Sequence, residues 1–153
     1  MSIMTRPVPP EVVELRMPSR LELLGVLDCV ATSLCERMKF DDDTASKVSM
    51  SVIEAGTNAI QHGHKRDPGK RVDVTFTVLP DALDIKVRDS GPGFDPPAPN
   101  GDAISPEHLL DARGRGIYIM RQCMDTVDFS FDSGGTVCHL VKRRPAPTPA
   151  PTG

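Results

Sequence analysis

The sequence predicts an α+β domain: a two-layer α/β sandwich with a mostly antiparallel sheet and its helices gathered on one face. Three observations predict it. Apolar residues recur at helical spacing from about Arg20 to His62; the period falls to two between Arg71 and Val87; a proline-rich interruption is then followed by a short helical pattern and a second alternating pair. Strands joined by short turns pair with their neighbours, and the apolar face they share must be covered. At 153 residues the chain has room for one substantial core rather than two.

Taking the elements in order, Val12, Val13 and Leu15 suit a short edge strand, after which Pro18 and Ser19 read as a helix entry with Ser19 as cap. From Arg20 to Met38, Leu23, Leu24, Leu27, Val30, Ala31 and Leu34 fall on one helical face, and no histidine lies among them. A second helix begins after Asp41-Asp42-Asp43, whose charges suit a helix N-terminus, and runs to about His62 before Gly63. Its stripe is Val48, Val52, Ala55 and Ala59, which leaves Glu54 and Asn58 together at the border of the buried face. Val72, Val74, Phe76 and Val78, then Leu83, Ile85 and Val87, alternate with polar residues around a turn at Pro80-Asp81. The stretch from Phe94 to Arg113 carries Pro96, Pro97, Pro99 and Pro106 and suits a lid. Ile117 to Met124 predicts a helix; Val127, Phe129 and Phe131 predict a strand; Ser133-Gly134-Gly135 turns into a last strand over Thr136 to Val141. The domain is expected over residues 11–143, with an N-terminal extension at 1–10 and a disordered proline-rich tail at 144–153.

Composition narrows the class. A 39% hydrophobic fraction, 25% charged residues and a net charge of -3 argue against a basic nucleic-acid binder and against an acidic disordered chain. No membrane-spanning run and no basic leader followed by an apolar stretch is seen, so a cytoplasmic location is expected. Cys29, Cys35, Cys123 and Cys138 contain no C-x-x-C pair and are expected to be reduced, partly buried thiols. His62 and His64 flank Gly63, but no further ligands at metal spacing accompany them, and structural roles are expected.

Three segments carry chemistry. Glu54 and Asn58 stand four apart on one helix and therefore side by side; a carboxylate can take a proton from a hydroxyl, and an amide oxygen is a hard ligand suited to Mg2+. Asp89-Ser90-Gly91-Pro92-Gly93-Phe94 follows a strand, where Gly91 and Gly93 let backbone approach a ligand and Asp89 offers an acceptor for an exocyclic amine such as that of adenine. Gly114-Arg115-Gly116 is expected directly before a helix, where unpaired N–H groups favour phosphate and Arg115 adds charge.

In that order, Glu54 to Gly63, Asp89 to Phe94 and Gly114 to Met120 resemble the N, G1 and G2 boxes of the GHKL superfamily of histidine-kinase-like ATPases. The pattern Glu-Ala-x-x-Asn-Ala-Ile-x-His-Gly, the compact size and Gly-Arg-Gly-Ile-Tyr-Ile-Met look like its anti-sigma-factor serine kinases, with Ile117 where that group commonly has leucine or phenylalanine. The resemblance spans roughly Val12 to Arg143 and implies a Bergerat-type fold binding ATP and Mg2+. It implies Glu54 as general base, Asn58 as Mg2+ ligand, Asp89 as adenine reader and Gly91 and Gly93 at the adenine end. Gly114, Arg115 and Gly116 would meet the phosphates, and Thr136 would lie near the adenine-binding aspartate. The implied partners are a STAS-type anti-sigma-factor antagonist, a sigma factor and a second copy of the chain. Two alternatives stay open: a partner-switching kinase that binds no sigma factor, and a non-enzymatic sigma-binding module. A histidine-kinase catalytic module is disfavoured by an N-terminal helix without histidine.

Overall fold

The computed structural model describes residues 9–96 and 112–145. Strand β1 (Glu11–Pro18) leads through a 3-10 turn (Leu21–Leu23) to α1 (Leu24–Arg37) and α2 (Asp42–Thr57), which runs on into a π-helical turn (Asn58–Gly63). The hairpin β2 (Arg71–Val78) and β3 (Ala82–Asp89) follows, then α3 (Ala112–Cys123) and the hairpin β4 (Thr126–Asp132) and β5 (Gly135–Arg143). The strands form one five-stranded sheet in the order β1-β2-β3-β5-β4, antiparallel at every pairing. The expected α+β sandwich is the fold observed, with β1 at the edge. The lid expectation falls mostly on residues 97–111, outside the described residues, as do 1–8 and 146–153.

Register explains how the core forms. Leu15, Val74, Val87, Cys138 and Phe129 lie across the sheet in one row, and Val13, Phe76, Ile85, Leu140 and Val127 in another. Apart from the exposed Val13, both rows join Leu27, Ala31, Val48, Val52, Ala55, Ile117 and Met120 of the helices in one cluster. Each fully buried aliphatic or aromatic side chain there contributes about 1.5–3 kcal/mol relative to exposure. The opposite face carries Asp73, Thr75, Asp84, Lys86 and Arg88, as the two-residue period requires.

Local details differ from the sequence expectations at two helix entries. Ser19 caps nothing: the residue before the 3-10 turn is Arg20, with no side-chain cap, and the buried Ser19 hydroxyl instead meets His64. Gly114, Arg115 and Gly116 lie inside α3 rather than ahead of it. A glycine pair reads as a break when only backbone freedom is considered, but a missing Cβ also makes room for a neighbouring side chain, and Gly116 uses it so against Glu54. Asp41 behaves as expected, accepting the Thr44 N–H at 2.7 Å at the start of α2. At the other end of the domain the Arg144 backbone donates to Asp81 at 2.6 Å and its guanidinium reaches Met38 and the Phe40 ring. All four cysteines are free thiols, three of them buried.

Candidate functional site

The two-residue period that builds the core also delivers Asp89. Leu83, Ile85, Val87 and Asp89 occupy alternate positions of β3, so the carboxylate points to the helix-covered face just beyond three buried apolar residues. Thr136 of β5 lies directly across from it, and Phe131 of β4 across from Thr136. Asp89 is 9% exposed and Thr136 4%. Burial raises the Asp89 carboxyl above its usual range; the Gly91 N–H, donated to Oδ1 at 2.7 Å, and the nearby charges of His64, Arg113 and Arg88 pull the other way.

Glycines pack this corner to contact distance. A Cβ on Gly63 would stand 2.6 Å from the Asp89 carboxyl carbon, and one on Gly91 would strike the Gly63 backbone. The π-helical turn and the loop after β3 are thus pressed together with no side chain between them. Gly93 has φ +85° and lies under Phe131, so that position needs glycine for its conformation as well as its space.

On the facing helix, Glu54 and Asn58 look toward α3. A Cβ on Gly116 would lie 2.6 Å from Glu54 Oε2 and 3.6 Å from Asn58 Nδ2, which places the expected base, the expected metal ligand and the second glycine of the G-x-G in one contact. Burial raises the Glu54 carboxyl, and the charge of Arg115 lowers it in part. Asn58 is buried, and its Nδ2 has no hydrogen-bond partner among the described residues. A buried amide short of partners marks a side chain that a ligand completes.

Between these groups lies an open cleft with about 370 Å³ of empty space, counting the part open to solvent. Asn58, Asp89, Gly93 and Thr136 line it together with Ala55, Ala59, Gly63, Val87 and Cys138. Glu54 and Gly116 adjoin it through Asn58, whereas Gly114 and Arg115 lie on the first turn of α3. Sequence reasoning missed the wall formed by Phe94, Phe129 and Arg113. Phe94 meets Phe129 and Phe131 edge-on at 5.1 and 5.5 Å between centroids, and the Arg113 guanidinium stacks on Phe94 at 4.1 Å. Three of the five phenylalanines gather here, Phe94 and Phe129 packed against the edge of the core and Phe131 exposed, leaving an apolar wall fit for a flat ring. The alternation of Phe129 and Phe131 on β4 was the available signal. Cys138 is no nucleophile, because burial pushes its thiol up to about 12.

These residues fit a magnesium nucleotide. They offer a buried acceptor beside an apolar wall at one end, and an amide with a carboxylate at the other. No cluster of three or more His, Cys, Asp or Glu residues suited to a metal occurs among the described residues. Mg2+ held by one or two protein oxygens plus phosphates requires none. His64 is hydrogen-bonded to Ser19 and Ser90. No helix among the described residues is long and apolar enough to cross a membrane.

Comparison with known proteins agrees with this geometry. Residues 17–142 match the model of the histidine kinase-like ATPase domain. The chain is 35% identical over 130 residues to the serine-protein kinase RsbW of Bacillus licheniformis, covering 82% of this chain and 81% of that one. It is 32% identical over 130 residues to RsbW of Bacillus subtilis strain 168, with the same coverage of 82% and 81%. With five antiparallel strands, the ordered boxes and these matches over most of its length, the chain belongs to the histidine kinase-like ATPase family and, within it, to the group of RsbW-type serine-protein kinases.

Proposed function

We propose that this protein is an ATP-dependent serine/threonine-protein kinase and anti-sigma factor, acting on a serine of a STAS-domain antagonist and sequestering a sigma factor. One observation carries the reading: Glu54 and Asn58 lie side by side against Gly116, while Asp89 and Thr136 close the other end of the same cleft. ATP supplies the phosphoryl group, and Mg2+ offsets charge on its phosphates. Asp89 accepts from the adenine amine, with Gly63, Gly91 and Gly93 giving the base its close approach. Asn58 would hold the metal through its amide oxygen, and its Nδ2, unpartnered among the described residues, would be left to donate to the nucleotide. Glu54 takes the proton from the attacking serine hydroxyl; burial makes it a stronger base than an exposed glutamate, and the charge of Arg115 favours its ionised form. Gly114, Arg115 and Gly116 lie on the phosphate side.

The names of its relatives support a serine kinase, and the absence of histidine from α1 argues against a histidine-kinase module lying beside its own phosphoacceptor helix. The protein is proposed to act in the cytoplasm as a homodimer, without contacting nucleic acid. The test is transfer of labelled γ-phosphate to a purified STAS antagonist. Wild type should label serine, whereas Glu54→Gln should bind Mg-ATP within a few-fold of wild type and transfer about 10²–10⁴-fold more slowly. Wild-type transfer by that variant would remove Glu54 from the chemistry. Binding of a sigma factor is measured separately, since a kinase that switches partners without one would pass the transfer test.

A further inference from the structure

Among the described residues His64 is the one buried histidine, 2% exposed, and it joins three parts of the chain that are distant in sequence. Its ring lies between Ser19, just after β1, and Ser90, just after Asp89, with Nδ1 at 2.9 Å from the Ser19 hydroxyl and Nε2 at 3.1 Å from the Ser90 hydroxyl. The decisive contact is the third. The Ser90 backbone N–H donates to Nε2 at 2.9 Å, so Nε2 carries no proton, Nδ1 does, and the ring is neutral with Nδ1–H donating to Ser19.

The backbone around His64 is set to hold this ring in place. The His64 N–H donates to Ala59 at 2.9 Å and the Arg66 N–H to Ile60 at 2.8 Å, closing the π-helical turn. Directly after it Lys65 and Arg66 take φ +49° and +61°, two consecutive left-handed residues that are not glycine. Such backbone persists where the surroundings over-determine it, and it clusters at functional sites. The residue so anchored grips the peptide between Asp89 and Gly91, and Gly91 in turn donates to the Asp89 carboxylate at 2.7 Å.

We propose that His64 is a positioning residue for nucleotide recognition: in its neutral form it holds the Ser90 amide, and through it fixes the loop that aims Asp89 at the adenine amine. This rests on the nucleotide reading of the cleft. A proton on Nε2 would remove the acceptor for the Ser90 N–H and leave only the Ser90 hydroxyl to receive from the ring. Nucleotide affinity should therefore fall on acidification as His64 takes up one proton. The charged groups facing the ring are Asp89 at the end of β3, which favours protonation, and Asp67 and Lys70 before β2, which act in opposite directions; burial outweighs them and holds the imidazole below its ordinary value.

The variants that separate these effects are His64→Gln, whose amide oxygen can accept the Ser90 N–H but cannot titrate, and His64→Ala, which can do neither. Mg-ATP affinity is measured by calorimetry from pH 5.5 to 8, together with the Ser90 amide and His64 ring shifts by NMR in nucleotide-free protein. At pH 7.5 His64→Gln should bind within about threefold of wild type and keep that affinity at acid pH; wild type should weaken, with the Ser90 amide following the His64 titration. His64→Ala, confirmed folded by its amide spectrum, should bind at least about tenfold more weakly than wild type at pH 7.5, in line with loss of one positioning hydrogen bond, with the gap narrowing as wild type titrates. Should His64→Ala fail to fold, the comparison of wild type with His64→Gln decides alone. Identical pH profiles for those two proteins, or a Ser90 amide indifferent to His64, would overturn the proposal. A wild type that binds no ATP at pH 7.5 would overturn the nucleotide reading and the positioning role together. That failure is distinguishable, because the Ser90 titration is read without nucleotide.

Discussion

Asp89 stands where the core's own periodicity would put an aliphatic residue, and its charge works against the fold it belongs to. Burial raises its carboxyl from the usual 3.8, so the folded protein takes up this proton at a higher pH than the unfolded chain does. The ionised group counts against folding; as pH falls through the raised value the folded state protonates first and recovers stability, until the unfolded chain follows near 3.8. His64 acts with the opposite sign. Its folded value lies below 6.5, so the unfolded chain protonates first and stability is lost as pH falls below 6.5 through the folded value. Asp89→Asn keeps an acceptor for the Gly91 N–H and removes the buried charge. The nucleotide-free variant is expected to melt above wild type at pH 7.5, with the gap closing as pH is lowered; thermal melts across pH measure this, and a lower melting temperature throughout would contradict it. The identity of Asp89 was legible because an acid followed by Gly-x-Gly at a strand end is local information. Its embrace by Gly63 and the tie from Ser90 through His64 to Ser19 were not, since Ser19 and His64 are 45 residues apart and nothing in a serine reports such a partner.

Glycines at element junctions divide into two kinds, and substitution should tell them apart. Gly116 lies inside α3 with its missing Cβ aimed at the end of the Glu54 side chain. Gly116→Ala gains up to about 1 kcal/mol of helix propensity and displaces only a flexible carboxylate. Urea unfolding should therefore shift by no more than about 1 kcal/mol, while phosphotransfer falls at least about tenfold because the base has moved. Gly135 begins β5 at φ +141°, and a Cβ there would strike the Asp89 carbonyl oxygen and the Ser90 Cα. Gly135→Ala meets backbone and should lose at least about 1–2 kcal/mol in the same unfolding measurement. Equal stability losses in the two variants would show that this division is wrong. The alternating strands and the stripe of α2 were read correctly because period and face are properties of a single element. The start of α3 was misplaced because Gly116 answers to Glu54 and Asn58 across from it, which no local pattern displays. The stack of Arg113 on Phe94 escaped notice for a related reason: it brings together the two sides of the 97–111 segment.

At the scale of the whole molecule, nucleotide that binds only the folded state must stabilise it. Mg-ATP at about one hundred times its dissociation constant adds about 2.7 kcal/mol. In a chain of this size that raises the melting temperature by roughly 5–10 °C. A scan with and without Mg-ATP should show this for wild type and a clearly smaller shift for Asp89→Asn; no shift in wild type would deny a site on the folded protein. Selection between sigma factor and antagonist by nucleotide needs the ATP and ADP states to present different surfaces, and a tenfold change in partner affinity corresponds to about 1.4 kcal/mol of coupling. Competition between sigma factor and antagonist in the two nucleotides would reveal such a difference, and equal affinities would end the switch while leaving the kinase intact. Both expectations depend on a nucleotide held with its base at Asp89. Calorimetric titration of Mg-ATP into wild type and Asp89→Asn tests that most directly: the variant should bind about 10- to 150-fold more weakly, the equivalent of roughly 1.5–3 kcal/mol for a hydrogen bond to a charged acceptor. Equal affinity in the two folded proteins would contradict the placement of the nucleotide.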